Sequence, residues 1–145
     1  MPGMTHNPAA VMNRFIQEFQ TEGNQAVAEE LLAPDFVDHT PFPGFGSTRE
    51  DVKALFAVLR SAFGGLRAEV IEQFSDGDRV ATRKTFHGTH TGPFAGFAPT
   101  GKPVAIRVFD IVRIAEGRIQ EHWNVVDVAG LMASLVSDPG RNQGS

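Results

Sequence analysis

At 145 residues, 41% hydrophobic and 21% charged, the chain is long enough for one domain with a real core and short for two. A formal net charge of −4, a pI near 5.7 and the lack of any Lys/Arg run argue against nucleic acid or a membrane as partner. With no Cys and no Tyr, disulfides, thiolate chemistry and phenolic acids are excluded. The five His (His6, His39, His87, His90, His122) show no ligand spacing, so neither a metal nor any other cofactor is expected. The opening "MPGMTHNPAA" lacks the layout of a signal peptide and no apolar run could span a bilayer, which makes a cytoplasmic location the expectation.

One domain is expected over residues 1–145, with a core of about 8–136 between loose tails at 1–6 and 138–145. Asn7 caps a first helix with Pro8 at its first position, and Val11, Phe15 and Phe19 recur at helical spacing up to Gly23. A short second helix, "NQAVAEELLA", stops before Pro34, and the extended "DFVDHTPFPGFG" follows. "STRE", Ser47 to Glu50, reads as a capping box for a third helix. The apolar stripe of that helix runs Val52, Leu55, Phe56, Leu59 and Phe63, with Gly64-Gly65 as its end. Two strands, "LRAEVIEQF" and "RVATRKTFHGTH", flank the hairpin turn "SDGD". The linker "TGPFAGFAPTGKP" then leads to a third long strand, "AEG" turns into "RIQEHWNVVD", and "VAGLMASL" forms a short terminal helix. Helices first and antiparallel strands afterwards predict an α+β fold, a bent sheet wrapped on amphipathic helices.

The third strand, "IRVFDIVRI", holds the anomaly. Strand side chains alternate between faces, so Asp110 shares the greasier face with Ile106, Val108, Val112 and Ile114. An ionised carboxylate there needs a paired cation or a raised pKa. The register of the last hairpin decides its neighbour. A three-residue loop, Ala115-Glu116-Gly117, is preferred because it spares Glu116 a left-handed conformation, and it sets Asp110 opposite His122 with Gln120 and Asn124 alongside. A two-residue loop, Glu116-Gly117, would instead set Trp123 against Asp110 as a cavity wall. A structural acid or an interface residue is the bland alternative for Asp110.

Among the remaining candidates, His39 stands in "FVDHTP" at a Pro-terminated strand end, and Asp38 points the opposite way if that segment is extended. His90 either lines a pocket mouth or caps its strand. Phe15, Phe19, Phe56 and Phe63 are core by helical spacing. Phe94, in "PFAGF", reads as a flap over an apolar pocket. His87 reads as solvated, and Arg107 and Arg113 as flanking a solvent or subunit face.

The order of elements, together with "FVDHTPFPG", "GTHTGPFAGFAPTGKPV" and "FDIVRIAEGRIQEHW", resembles the SnoaL-like polyketide cyclases, of the superfamily of ketosteroid isomerase, scytalone dehydratase and nuclear transport factor 2. The resemblance spans about residues 8–136. It implies a cone of a curved antiparallel sheet on three N-terminal helices around an apolar cavity, commonly a homodimer. It also implies cofactor-free acid–base catalysis of an intramolecular aldol cyclisation on an apolar, carbonyl-bearing small molecule. Asp110 looks like the family's general acid–base, with His122 holding its charge state and His39 or His90 contacting a substrate oxygen; ketosteroid isomerase keeps its base in the segment similar to "FVDH", which makes Asp38 or His39 a pocket candidate. Phe15 stands near where ketosteroid isomerase keeps its oxyanion Tyr, and Phe94, Trp123 and Asn124 join it as substrate-binding candidates. Hydrolysis or isomerisation of an epoxide in the same cavity, and a non-catalytic binding protein, are the competing readings.

Overall fold

The computed structural model describes residues 7–136; the expected tails, His6 included, lie outside them. In chain order the elements are α1 (Pro8–Arg14), a π-helical turn (Phe15–Thr21), α2 (Gln25–Leu31), β1 (Leu32–Asp38), α3 (Arg49–Ala62), β2 (Phe63–Asp76), β3 (Arg79–His90), β4 (Pro103–Ala115), β5 (Arg118–Val126) and α4 (Val128–Val136). The strands form one five-stranded curved, open sheet in the order β1-β5-β4-β3-β2. The helices cover its inner face, so the expected α+β cone is what forms. Among the described residues no helix is long and apolar enough to cross a membrane.

Local chemistry accounts for most of the boundaries. Asn7 caps α1 by accepting from the Ala10 N–H, with Pro8 at the first position. The helix continues as a π-helical turn that buries Phe15, Ile16, Phe19 and Gln20 together. Gly23 closes it at φ 79°, where an added Cβ would meet Arg60 Nε at 2.7 Å. The third helix begins one residue later than the "STRE" pattern suggests. Thr48 is the cap, accepting from the Asp51 N–H at 3.2 Å while Asp51 Oδ2 accepts from the Thr48 N–H at 3.0 Å. It also ends sooner, because Phe63 already opens β2 and is buried there against His90 and Phe94. The β2–β3 hairpin turns at Gly77-Asp78 as expected, with Gly77 at φ 61°.

The β4–β5 hairpin differs from the preferred register. The loop is the two-residue Glu116-Gly117, both at positive φ (55° and 74°), with Ala115 opposite Arg118. A bulge then skips Gln120, so that Arg113 faces Glu121, Val112 faces His122 and Asp110 faces Asn124. The extra residue restores the alternation. His122 therefore stands on the face of Asp110, two pairs along the ladder rather than directly opposite. Trp123 faces the other way, and neither sequence-based register is the one that forms.

Candidate active site

The inner face of β4 is a run of buried residues, Val104, Ile106, Val108, Asp110, Val112 and Ile114, while Arg107 and Phe109 between them are exposed. Asp110, only 4% exposed, lines a cavity of about 280 Å³ between the sheet and the helices. Phe15, Leu59, Phe86, Phe94 and Ile106 are among its apolar walls. Phe94 is held over it by a tight turn in which Phe94 and Phe97 exchange backbone hydrogen bonds, and its ring packs on Phe42 and Phe63.

Four neighbouring strands each contribute one ionisable residue to the cavity floor. Across the sheet they run Asp38 (β1), His122 (β5), Asp110 (β4) and Lys84 (β3), alternating in charge. His122 Nδ1 is 3.1 Å from Asp38 Oδ1, and its Nε2 is 3.6 Å from Asp110 Oδ2. The Lys84 ammonium, 1% exposed, lies 2.7 Å from the same Asp110 oxygen, an ion pair bent away from hydrogen-bonding alignment. Lys84 also donates to Gln20 Oε1 at 3.1 Å, from the π-helical turn above. Asp110 Oδ1 has no partner among the described residues. At the β1 end, Asp38 Oδ1 accepts the Thr40 N–H at 3.0 Å, and the Thr40 hydroxyl donates to Asn124 Oδ1 at 2.9 Å.

Burial sets the charge states. Desolvation alone would raise the Asp110 pKa, but the Lys84 ammonium and the His122 ring outweigh it and hold the carboxyl below its usual range. Desolvation would likewise lower His122, and the carboxylates on its two sides raise it instead. Two cations and two carboxylates thus balance in a space where any one alone would cost several kcal/mol. Of the two ways to keep an acid buried, pairing is the one used.

These shifts have opposite consequences for stability. The raised His122 contributes in full below its unfolded pKa of about 6.5, and the contribution is lost as pH rises through the higher folded value. The lowered Asp110 contributes above its unfolded pKa of about 3.9 and is lost as pH falls through the folded one. Denaturation midpoints measured by urea titration should therefore fall as pH rises from about 6.5. In His122→Gln that alkaline slope should disappear; a slope unchanged in the variant would contradict the assignment.

The remaining expected site residues divide. Asp110, His122, Phe15, Phe94 and Asn124 line the cavity. His39 does not. Its ring stacks on Trp123 at 4.8 Å on the outer face, with Nε2 2.9 Å from Glu121 Oε1, because the parallel pairing of β1 with β5 turns Asp38 inward. Trp123 is outside with it, under the Arg79 guanidinium at 5.1 Å. His90 is fully buried behind the wall, its Nδ1 accepting the Thr100 N–H at 3.2 Å. Of the two pocket candidates in "FVDH" it is Asp38, not His39, that reaches the cavity floor, and Lys84 is the ionisable group there that sequence reasoning left out of the site. For Lys84 the available signal was its place on the Phe86 face of β3.

Comparison with known proteins gives the family. The sequence profile of the SnoaL-like polyketide cyclases matches residues 10–135. The chain belongs to that family. Within this SnoaL-like family it is 26% identical over 132 residues to the aklanonic acid methyl ester cyclase DnrD of Streptomyces peucetius, covering 86% of this chain and 88% of that one. A second aklanonic acid methyl ester cyclase, DauD of Streptomyces sp. (strain C5), is equally identical over 86% of this chain and 79% of its own. Among solved structures, IdmH of Streptomyces antibioticus, a candidate polyketide cyclase, superposes with a TM-score of 0.81 at 31% identity, covering 91% of this chain and 100% of that one.

Proposed function

We propose that this SnoaL-like protein is a cofactor-independent cyclase that closes a carbocyclic ring in an apolar polyketide ester by intramolecular aldol addition. The observation that carries the reading is the place of Asp110, a buried carboxylate that lines a mainly apolar cavity and keeps one oxygen without a partner among the described residues. An apolar lining of that kind favours proton transfer at carbon over hydrolysis. Asp110 acts as the general acid–base. It takes the proton from the acidic carbon, the C–H electron pair passing to the carbonyl oxygen as an enolate. After the enolate carbon has bonded to the second carbonyl, Asp110 returns the proton to the new alkoxide. His122, charged and held by Asp38, keeps Asp110 a carboxylate between turnovers. Phe15, Phe94 and Asn124 contact the substrate. The test is product mass. A β-keto ester polyketide incubated with the protein should give an isomer of unchanged mass; its acid and alcohol halves, or a diol one water heavier from an epoxide-bearing analogue, would replace this reading with hydrolysis, and recovery of unchanged, bound ligand would replace it with a binding protein.

The active form is proposed to be a homodimer joined through the outer sheet face. Phe74 (67% exposed) and Ile111 stand in one cross-strand row with Ala81 and Trp123, and Phe109 and Val125 (73% exposed) in the next. Ion pairs of both signs flank these rows, Arg83 with Glu72 and Arg113 with Glu121. A two-fold contact needs that self-complementarity. Sedimentation velocity should show a dimer for the wild type and a monomer for Phe74→Glu/Val125→Glu; a monomeric wild type would overturn the assignment.

A further inference from the structure

We infer that Lys84 is the oxyanion residue of this site, the ammonium that holds the enolate oxygen while Asp110 holds the proton, and that Gln20 positions it. The inference deepens the aldol reading and relies on it for the reaction, but the anion site it describes is a property of the side chains themselves.

The donors decide it. An ammonium carries three N–H bonds. One is donated to Gln20 Oε1 at 3.1 Å, and Asp110 Oδ2 stands 2.7 Å from Nζ as an ion pair outside hydrogen-bonding alignment, beside a second N–H. The third has no hydrogen-bond acceptor among the described residues; Nζ stands 5.5 Å from the centre of the Phe86 ring at the cavity wall. On the Asp110 side, Oδ2 is shared by Lys84 and His122 while Oδ1 is unpartnered. A free acceptor and a free donor therefore sit side by side. An enolisable ketone presents the matching pair, an acidic C–H and a carbonyl oxygen on adjacent carbons.

The charge account closes at every step. As the C–H bond breaks and the Asp110 O–H bond forms, the negative charge leaves the carboxylate for the enolate oxygen. Lys84 keeps an anion beside it throughout and only changes which oxygen it faces. No buried charge is left bare, which is what a preorganised oxyanion site requires. The chain has no Tyr to do this work.

Gln20 enters through the unusual helix. The π-helical turn carries Phe15, Ile16, Phe19 and Gln20 to the core together. Arg60 fastens its end by donating to the Phe19 and Gln20 carbonyls at 3.2 and 2.7 Å. The Gln20 amide oxygen is thereby fixed over Lys84, and it restrains a side chain that otherwise has wide rotamer freedom.

The probe is para-nitrophenol, whose phenolate absorbs visible light and whose neutral form does not. It is added to Asp110→Asn, where the competing carboxylate is gone, and to Lys84→Met/Asp110→Asn, whose folding is checked by circular dichroism. Asp110→Asn should bind the phenolate at a pH where the free probe is mostly neutral, about tenfold more tightly than the double variant. Gln20→Leu in the Asp110→Asn background should weaken that binding several-fold, and Gln20→Asn, which keeps an uncharged amide acceptor, should retain more of it than Gln20→Leu. Equal phenolate binding with and without Lys84, or no bound phenolate in Asp110→Asn, would overturn the inference. The two readings fail separately. Loss of the phenolate signal leaves ring closure by Asp110 standing, whereas hydrolysed products in place of an isomer remove the aldol reaction and leave the anion site in place.

Discussion

Replacing Asp110 with Asn should lower the rate of ring closure roughly 10²–10⁴-fold while the protein stays folded. The amide matches the carboxylate in shape but can neither accept the carbon-bound proton nor return it to the alkoxide. The fold should tolerate the change because the neighbouring row can rebalance. With Asp110 neutral, His122 keeps only one of the two carboxylates that raise its pKa, so its ring deprotonates more readily and the excess positive charge falls. The measurement is turnover of a β-keto ester polyketide by purified Asp110→Asn, with its thermal midpoint alongside. Near-full turnover by a folded variant would take Asp110 out of the mechanism.

Lys84→Met should be the most destabilising single change on the cavity floor, costing about 3–5 kcal/mol. Met fills most of the volume and keeps the apolar stem, so packing is nearly conserved. What is lost is the cation 2.7 Å from a carboxylate that is itself almost completely buried. The second mutation identifies the cause. If the cost is an uncompensated Asp110 charge, then adding Asp110→Asn to Lys84→Met should recover a large share of it, a coupling of about 2 kcal/mol or more. Urea titrations of the four proteins at pH near 6, where the His122 contribution is still intact, measure this directly. A double variant as unstable as Lys84→Met would show that the loss is one of packing, with no share for the ion pair.

How far these residues could be foreseen follows from the range of the forces that place them. Strand alternation is a two-residue regularity, so the burial of Asp110 was legible from its own strand. The caps and the Gly77 turn act over three or four residues and were legible too, within one position at Thr48. The last hairpin was not. A left-handed Glu116 is locally unfavourable, and it is accepted because the bulge at Gln120 brings Ile119 and His122 to the inner face, where burial and pairing repay the strain.

The choice between Asp38 and His39, and the part of Lys84, were beyond reach for a different reason. Residues 38 and 39 must face opposite ways, but which of them faces inward depends on the parallel pairing of β1 with β5, more than eighty positions away along the chain. A Lys in an alternating strand normally reads as a solvent residue. Its burial becomes affordable only when Asp110 arrives from the next strand and Gln20 from the first helical segment.

Alternation, caps and turn residues are written into neighbouring positions, so the chain alone determined its α+β order, its buried acid and the face on which that acid sits. The alternating row of Asp38, His122, Asp110 and Lys84 was decided by tertiary structure. Each charge is tolerated away from water only beside its opposite, and those opposites come from four strands that nothing local brings together.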